Sequence, residues 1–210
     1  MPRVTFYFDG FNFYNGLKES SIKDASWKAC YWINPVMFCN EFIGDNTLVN
    51  VKYFTADPIN VQQRIRHKHY FKLLKEINPT LLQIINGRYK EKTNYCRNCG
   101  ATYKSSEEKR TDVSISVTML SDCINDLTDT LILISADTDL IPAIETIRKD
   151  FPNKKIKLYF PPNRTSTELF KLMKPHVIFL EKNKPKFMKA IMDNTVTING
   201  IDYTKPTEWR

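Results

Sequence analysis

TLILISADTDL, residues 130–140, decides how the chain is built. Five apolar or β-prone residues run into Ser135, and two aspartates follow with one residue between them. An unbroken apolar run of this length reads as a strand buried on both faces, as in a parallel sheet covered by helices. An ionised side chain within it would be costly, so Asp137 and Asp139 mark the point where the strand leaves the core. The pair has two readings. Asp137-Thr138-Asp139 can cap the next helix, or the strand end can aim both carboxylates at a cation.

Working outward, VTFYF (4–8) is a second β-rich run, ending at Asp9-Gly10. LVNVKYFTA (48–56), LLQIINGRY (81–89), KIKLYF (155–160) and HVIFL (176–180) continue the series. Helical patterns lie between them. A short helix is expected through Tyr14 and Leu17. NPVMFCNEFIG (34–44) carries a capping Asn34, Pro35 in the first turn and Gly44 at the exit. Val61, Ile65, Leu73, Leu74 and Ile77 fit an amphipathic helix over 61–77, with Arg64, Arg66, Lys68, Lys72 and Lys75 on its outer face. Over 111–127, Val113, Val117, Leu120, Ile124 and Leu127 share one helical face. A helix follows around 141–151, and Thr165 with Glu168 forms a capping box that opens another through Met173.

Strands alternating with helices predict a three-layer α/β/α sandwich with a mostly parallel, doubly wound central sheet. Residues 1–182 read as one domain, broken at about 90–110 by a polar, cysteine-containing insertion. Residues 183–210 form a tail with a helix at 185–192, a small hairpin around Asn199-Gly200, and Trp209 packing back on the domain.

A chain of 210 residues is long enough for one substantial core, and 42% apolar with 26% charged residues is an ordinary globular balance. No apolar run approaches the roughly 20 residues that span a bilayer. The first strand begins almost at Met1, leaving no room for a secretory signal, so a cytoplasmic protein without membrane contact is expected. The net charge of +8 favours anionic partners, of which nucleic acid is the commonest large one; a basic surface serving only solubility is the alternative. Five cysteines, an odd number, argue against a disulfide framework, and Cys30, Cys39 and Cys123 read as reduced core thiols.

In doubly wound α/β proteins, ligands bind beyond the carboxyl ends of the strands, near the point where strand order reverses. Asp9, Asp137 and Asp139 each follow such an end. Asp112 falls in the first turn of a predicted helix, where Thr111 can cap and the helix dipole favours a carboxylate. Clustered carboxylates raise one another's pKa, and a divalent cation reverses that penalty; hard oxygen donors suit Mg²⁺ or Mn²⁺.

Three motifs, in order, resemble the NYN domain family, a branch of the PIN-like nucleases: DGFN (9–12), EKRTDVSI (108–115) and SADTD (135–139). The resemblance covers about residues 4–180 and implies a PIN-like sandwich with a metal-dependent ribonuclease site. It implies Asp9, Asp112, Asp137 and Asp139 as the carboxylates that hold Mg²⁺ or Mn²⁺, with Asn12 and Ser135 in support. Attack of a metal-activated water on an RNA phosphodiester, leaving a 5′-phosphate, is the chemistry that goes with it. Lys109, near Asp112, and Arg164, just before the helix at 165, are placed to meet substrate phosphates, and each also reads as a plain solvated charge. The family also holds members with regulatory roles alone.

YCRNCGATY contains Cys96-x-x-Cys99, half of a zinc ribbon. Cys30, Cys39, His67 or His69 would have to complete a structural Zn²⁺ site, or two copies of the pair would meet across a homodimer; a loop whose thiols bind nothing is the alternative. RIRHKHYFK (64–72) and RYKEKTNYCR (88–97) mix cations with rings, a combination that suits single-stranded RNA as well as a solvated face. The leading expectation is a Mg²⁺/Mn²⁺-dependent endoribonuclease. A non-catalytic RNA-binding or regulatory module is the second reading. A Mn²⁺-dependent nucleotide-sugar transferase is the third, in which Asp9 and Asp112 have no place.

Overall fold

The computed structural model of the protein describes residues 1–95 and 99–209, with 88–94 and 103–109 through their backbone alone. A central sheet of six strands runs in the order β3-β2-β1-β6-β7-β8, and every pairing in it is parallel. The strands are β1 (Arg3–Asp9), β2 (Thr47–Thr55), β3 (Leu82–Asn86), β6 (Thr130–Ile134), β7 (Lys155–Phe160) and β8 (Val177–Phe179). From β1 the chain builds outward to β3, then returns to lay β6 against the other side of β1. The strand order therefore reverses between β1 and β6.

Alternation along the strands divides the core in two. Phe6 and Phe8 of β1 and Ile132 and Ile134 of β6 face one side, and Tyr7, Leu131 and Leu133 face the other. The first side is covered by α1 (Gly10–Lys23), α2 (Pro35–Ile43), α3 (Val61–Ile77) and α7 (Lys184–Ala190), contributing Phe13, Phe38, Leu73 and Phe187 among others. The second is covered by α4 (Thr111–Ile124), α5 (Ile141–Asp150) and α6 (Thr167–Met173), through Ile115, Met119, Ile144 and Leu169. Full burial of each such side chain contributes roughly 1.5–3 kcal/mol relative to exposure. This is the expected three-layer sandwich. Cys30, Cys39 and Cys123 are buried free thiols, as expected.

Local chemistry sets most element ends. Asn34 caps α2, its side chain accepting from the Val36 and Met37 amides, with Pro35 in the first turn and Gly44 at φ 55° at the exit. In the tail, β9 (Thr195–Ile198) and β10 (Ile201–Thr204) form the expected hairpin. Asn199 and Gly200 turn it with φ 49° and 77°, the left-handed geometry that such two-residue turns require. Trp209 packs on Tyr31, Trp32 and Tyr70.

Several expectations need correction. The strand expected to run to residue 89 stops at Asn86; the segment at about 90–110 forms a separate antiparallel hairpin of β4 (Arg88–Tyr95) with β5 (Thr102–Lys109). Ser166, not Thr165, caps α6, accepting from the Leu169 amide. Thr111 is the first residue of α4 and not its cap; the chain enters through Arg110 in the left-handed region, φ 81°. The face of α4 bearing Val113, Val117, Ile124 and the following Leu127 is exposed. The inward face carries Thr111, Ile115, Met119, Asp122 and Cys123. Asp122 can lie inward because Lys52 Nζ meets it at 2.7 Å and the Tyr7 hydroxyl donates to its other oxygen at 2.6 Å. In α3, Val61 and Ile65 are exposed, while Arg64 turns back to the Pro58 and Ile59 carbonyls and Arg66 to Glu208. Among the described residues, no helix is long and apolar enough to cross a membrane.

Candidate metal centre

Asp9 is the last residue of β1 and the cap of α1. One of its oxygens accepts from the Asn12 amide at 3.0 Å; the other accepts from the Asn12 side chain at 2.9 Å and from the Ser135 hydroxyl at 2.7 Å. The carboxylate is 2% exposed. Burial pushes its pKa up, and the donors from Asn12 and Ser135 pull against that. Gly10 makes this geometry possible. A Cβ there would lie 2.3 Å from the Phe54 carbonyl oxygen and 2.6 Å from the Tyr53 ring, so no larger residue fits where α1 crosses β2.

Ser135 follows β6 and is fully buried. Its hydroxyl donates to Asp9 and accepts from the Asp137 amide at 3.0 Å, tying the two strand ends together. Asp137 in turn accepts from the Asp139 amide at 3.0 Å and caps the short turn Thr138–Leu140. The capping reading of this stretch is met by Asp137.

Asp112 arrives from the first turn of α4. Carboxylate oxygens of Asp9, Asp112 and Asp137 all lie within 4.8 Å of one another, and among the described residues they are the group with metal-binding spacing. Burial, then the charges of Asp137, Asp9 and Asp139, push the Asp112 carboxyl up to about 6. Asp139 is exposed and stands beside the triad, close enough to act on Asp112 through its charge. The cluster occupies the crevice where β1 and β6 diverge, at the reversal of strand order.

The other expected residues are placed as follows. The Arg164 guanidinium pairs with Glu19 of α1. Lys109 ends β5, three residues before Asp112, and its side chain lies outside the described residues, as does Cys96. Cys99 is exposed, whereas Cys30 and Cys39 sit in the apolar core among aromatic rings. His67 binds the Thr55 hydroxyl at 2.9 Å, and His69 meets the Thr204 carbonyl and stacks on Trp32. Tyr70 and Phe71, of the run 64–72, are buried rather than on the open surface.

Sequence reasoning missed a neighbouring feature. Phe11 and Tyr14 of α1 are 52% and 41% exposed and border a cavity of about 260 Å³ between α1 and α3. Their spacing with Lys18, at i, i+3 and i+7 directly after Asp9, was the available signal.

A doubly wound parallel sheet with carboxylates gathered at its switch point is the arrangement of the PIN-like nucleases. Within that class, the family profile of the NYN domain matches residues 3–181, and the chain belongs to this family. Comparison with curated proteins gives no match.

Proposed function

We propose that the protein is a metal-dependent endoribonuclease that hydrolyses phosphodiester bonds of single-stranded RNA. The observation that carries this reading is the convergence of Asp9, Asp112 and Asp137 within 4.8 Å at the switch point. Three hard oxygen donors at this spacing, one of them pushed up to about 6 by burial and then by its neighbours' charges, suit Mg²⁺ or Mn²⁺ and repel one another without such an ion. A net charge of +8 supports a polyanionic substrate.

Asp9, Asp112 and Asp137 would hold the ion. When bound, it supplies an acidified water near neutral pH and neutralises charge on the phosphoryl oxygens. Asn12 and Ser135 fix the Asp9 carboxylate, so it need not reorganise during the reaction. To Asp139, exposed beside the triad, we assign the proton of the attacking water. Water attacks phosphorus, the P–O3′ bond breaks, and the departing O3′ takes a proton from solvent, so the products carry a 5′-phosphate and a 3′-hydroxyl. Lys109 and Arg164 are the cations we assign to substrate phosphates; Arg164 would have to leave Glu19 to serve.

The test is incubation of purified protein with labelled single-stranded RNA in Mn²⁺, Mg²⁺ or EDTA. Cleavage should require the ion and vanish in Asp137→Ala, while binding persists. RNA binding without cleavage in any ion would leave a non-catalytic NYN module instead.

A further inference from the structure

The cavity between α1 and α3 begins one residue from the acidic centre, because Gly10 and Phe11 line it directly after Asp9. Tyr53, which also lines it, packs against Gly10, the residue after Asp9, where an added Cβ would lie 2.6 Å from its ring. Cavity and triad are therefore neighbouring parts of one rim.

Its walls are largely aromatic, and its polar side chains include Asn15, Gln63 and Thr55 beside the basic ones. Phe11 and Tyr14 present half-exposed rings at the mouth. Trp209 closes the far side and packs on Tyr31, which itself contacts Tyr14. Lys18, Arg66 and His67 contribute the ionisable nitrogens, Arg66 pairing with Glu208 at 2.7 Å and His67 lying 3.3 Å from Asp57, and among the described residues no aspartate or glutamate lines the space itself. The Thr55 hydroxyl and the His67 ring, hydrogen-bonded to each other, add a donor and an acceptor. At about 260 Å³ the volume is near the lower end, about 300 Å³, of ordinary small-molecule sites. Trp209 lies outside the residues matched by the family profile, so the cavity is completed by a part of this chain that the family does not define.

A flat, electron-rich group attached to a phosphate chain fits each of these properties. Aromatic rings stack on any base, and Lys18 with Arg66, the latter shared with Glu208, offers positive charge to an anionic strand. We propose that this cavity receives an unstacked base of single-stranded RNA, adjacent to the scissile phosphate, with Phe11 and Tyr14 as the stacking surface. The proposal rests on the RNA substrate argued above and adds a subsite for a base beside the acidic triad.

The test is fluorescence anisotropy in EDTA, using the whole chain. The probes are a ten-nucleotide RNA of mixed sequence and a ribose-phosphate strand of equal length without bases. Tyr14→Ala and Phe11→Ala should each weaken binding of the RNA by about tenfold, as loss of one base–aromatic stack does. Neither should change binding of the base-free strand, and Tyr14→Phe should bind RNA like wild type. If Tyr14→Ala does not fold, as judged by circular dichroism, Phe11→Ala and Tyr14→Phe decide. Equal losses on both probes, no loss on RNA, or no RNA binding at all would overturn the proposal. The same samples are assayed for cleavage in Mn²⁺. Ring-dependent binding without cleavage keeps the subsite and removes the nuclease, while cleavage with ring-independent binding does the reverse.

Discussion

The Ser135 hydroxyl donates to the Asp9 carboxylate at 2.7 Å, joining the ends of two adjacent parallel strands inside the core. Ser135→Ala would leave Asp9 buried with Asn12 as its remaining side-chain donor among the described residues. Loss of a hydrogen bond to a buried charged group should cost about 1–3 kcal/mol, read as a lower urea midpoint. Mn²⁺ affinity by calorimetry should drop about 10- to 100-fold, as when other residues that orient a metal ligand are removed.

The triad and Asp139 differ in a way that calorimetry can separate. Asp137 lies within 4.8 Å of Asp9 and Asp112, whereas Asp139 stands exposed beside them. Asp137→Asn should remove measurable Mn²⁺ binding. Asp139→Asn should keep most of that affinity and lose turnover, if it takes the proton of the attacking water.

Asp112 gives the pH dependence its sign. The folded protein in EDTA holds this carboxyl near 6, while an unfolded aspartate titrates at about 3.9. Between those values the folded state carries the extra proton, so this group's contribution makes stability fall as pH rises through the window. His67, whose pKa burial lowers, works in the opposite direction. Comparison with Asp112→Asn isolates the carboxyl: relative to wild type, the variant should gain stability from about pH 4 to about pH 6, measured by denaturant titration.

Lys52 and Asp122 form a buried pair, with side chains 10% and 4% exposed. Lys52→Met would strand Asp122 in the core with the Tyr7 hydroxyl alone of the two partners. The expected loss is about 3–5 kcal/mol in chemical denaturation. Replacing Lys52 and Asp122 together with apolar residues should recover much of it.

Gly10→Ala tests the close approach of α1 to β2. The added methyl would meet the Phe54 carbonyl oxygen at 2.3 Å, so the start of the helix must shift and take Asn12 away from Asp9. About 1–3 kcal/mol of stability should be lost, together with Mn²⁺ affinity.

What the sequence disclosed follows from the range of the forces involved. Strands such as TLILI declare themselves because a central parallel strand is apolar on both faces, and Asn34, Pro35 and Gly44 declare α2 through contacts within a few residues. The acidic positions were legible because each stands at a strand or helix end, and the family motifs supplied their order. The orientation of α4 was not. Its inward face includes Asp122, whose partners Lys52 and Tyr7 lie 70 and 115 residues away, so a local apolar count chose the opposite face. The cavity also escaped notice, because its walls come from α1, α3 and Trp209 at once.

The three carboxylates reach the centre from β1, from α4 and from the loop after β6, with more than half the chain between the first and the last. A divalent ion seated there would act as a staple between the two central strands and α4, and no segment shorter than residues 9–137 carries all three donors. Thermal melting should therefore report occupancy directly: at an ion concentration 100 times Kd, binding adds about 2.7 kcal/mol to the native state, and the midpoint climbs further with each increment of Mn²⁺.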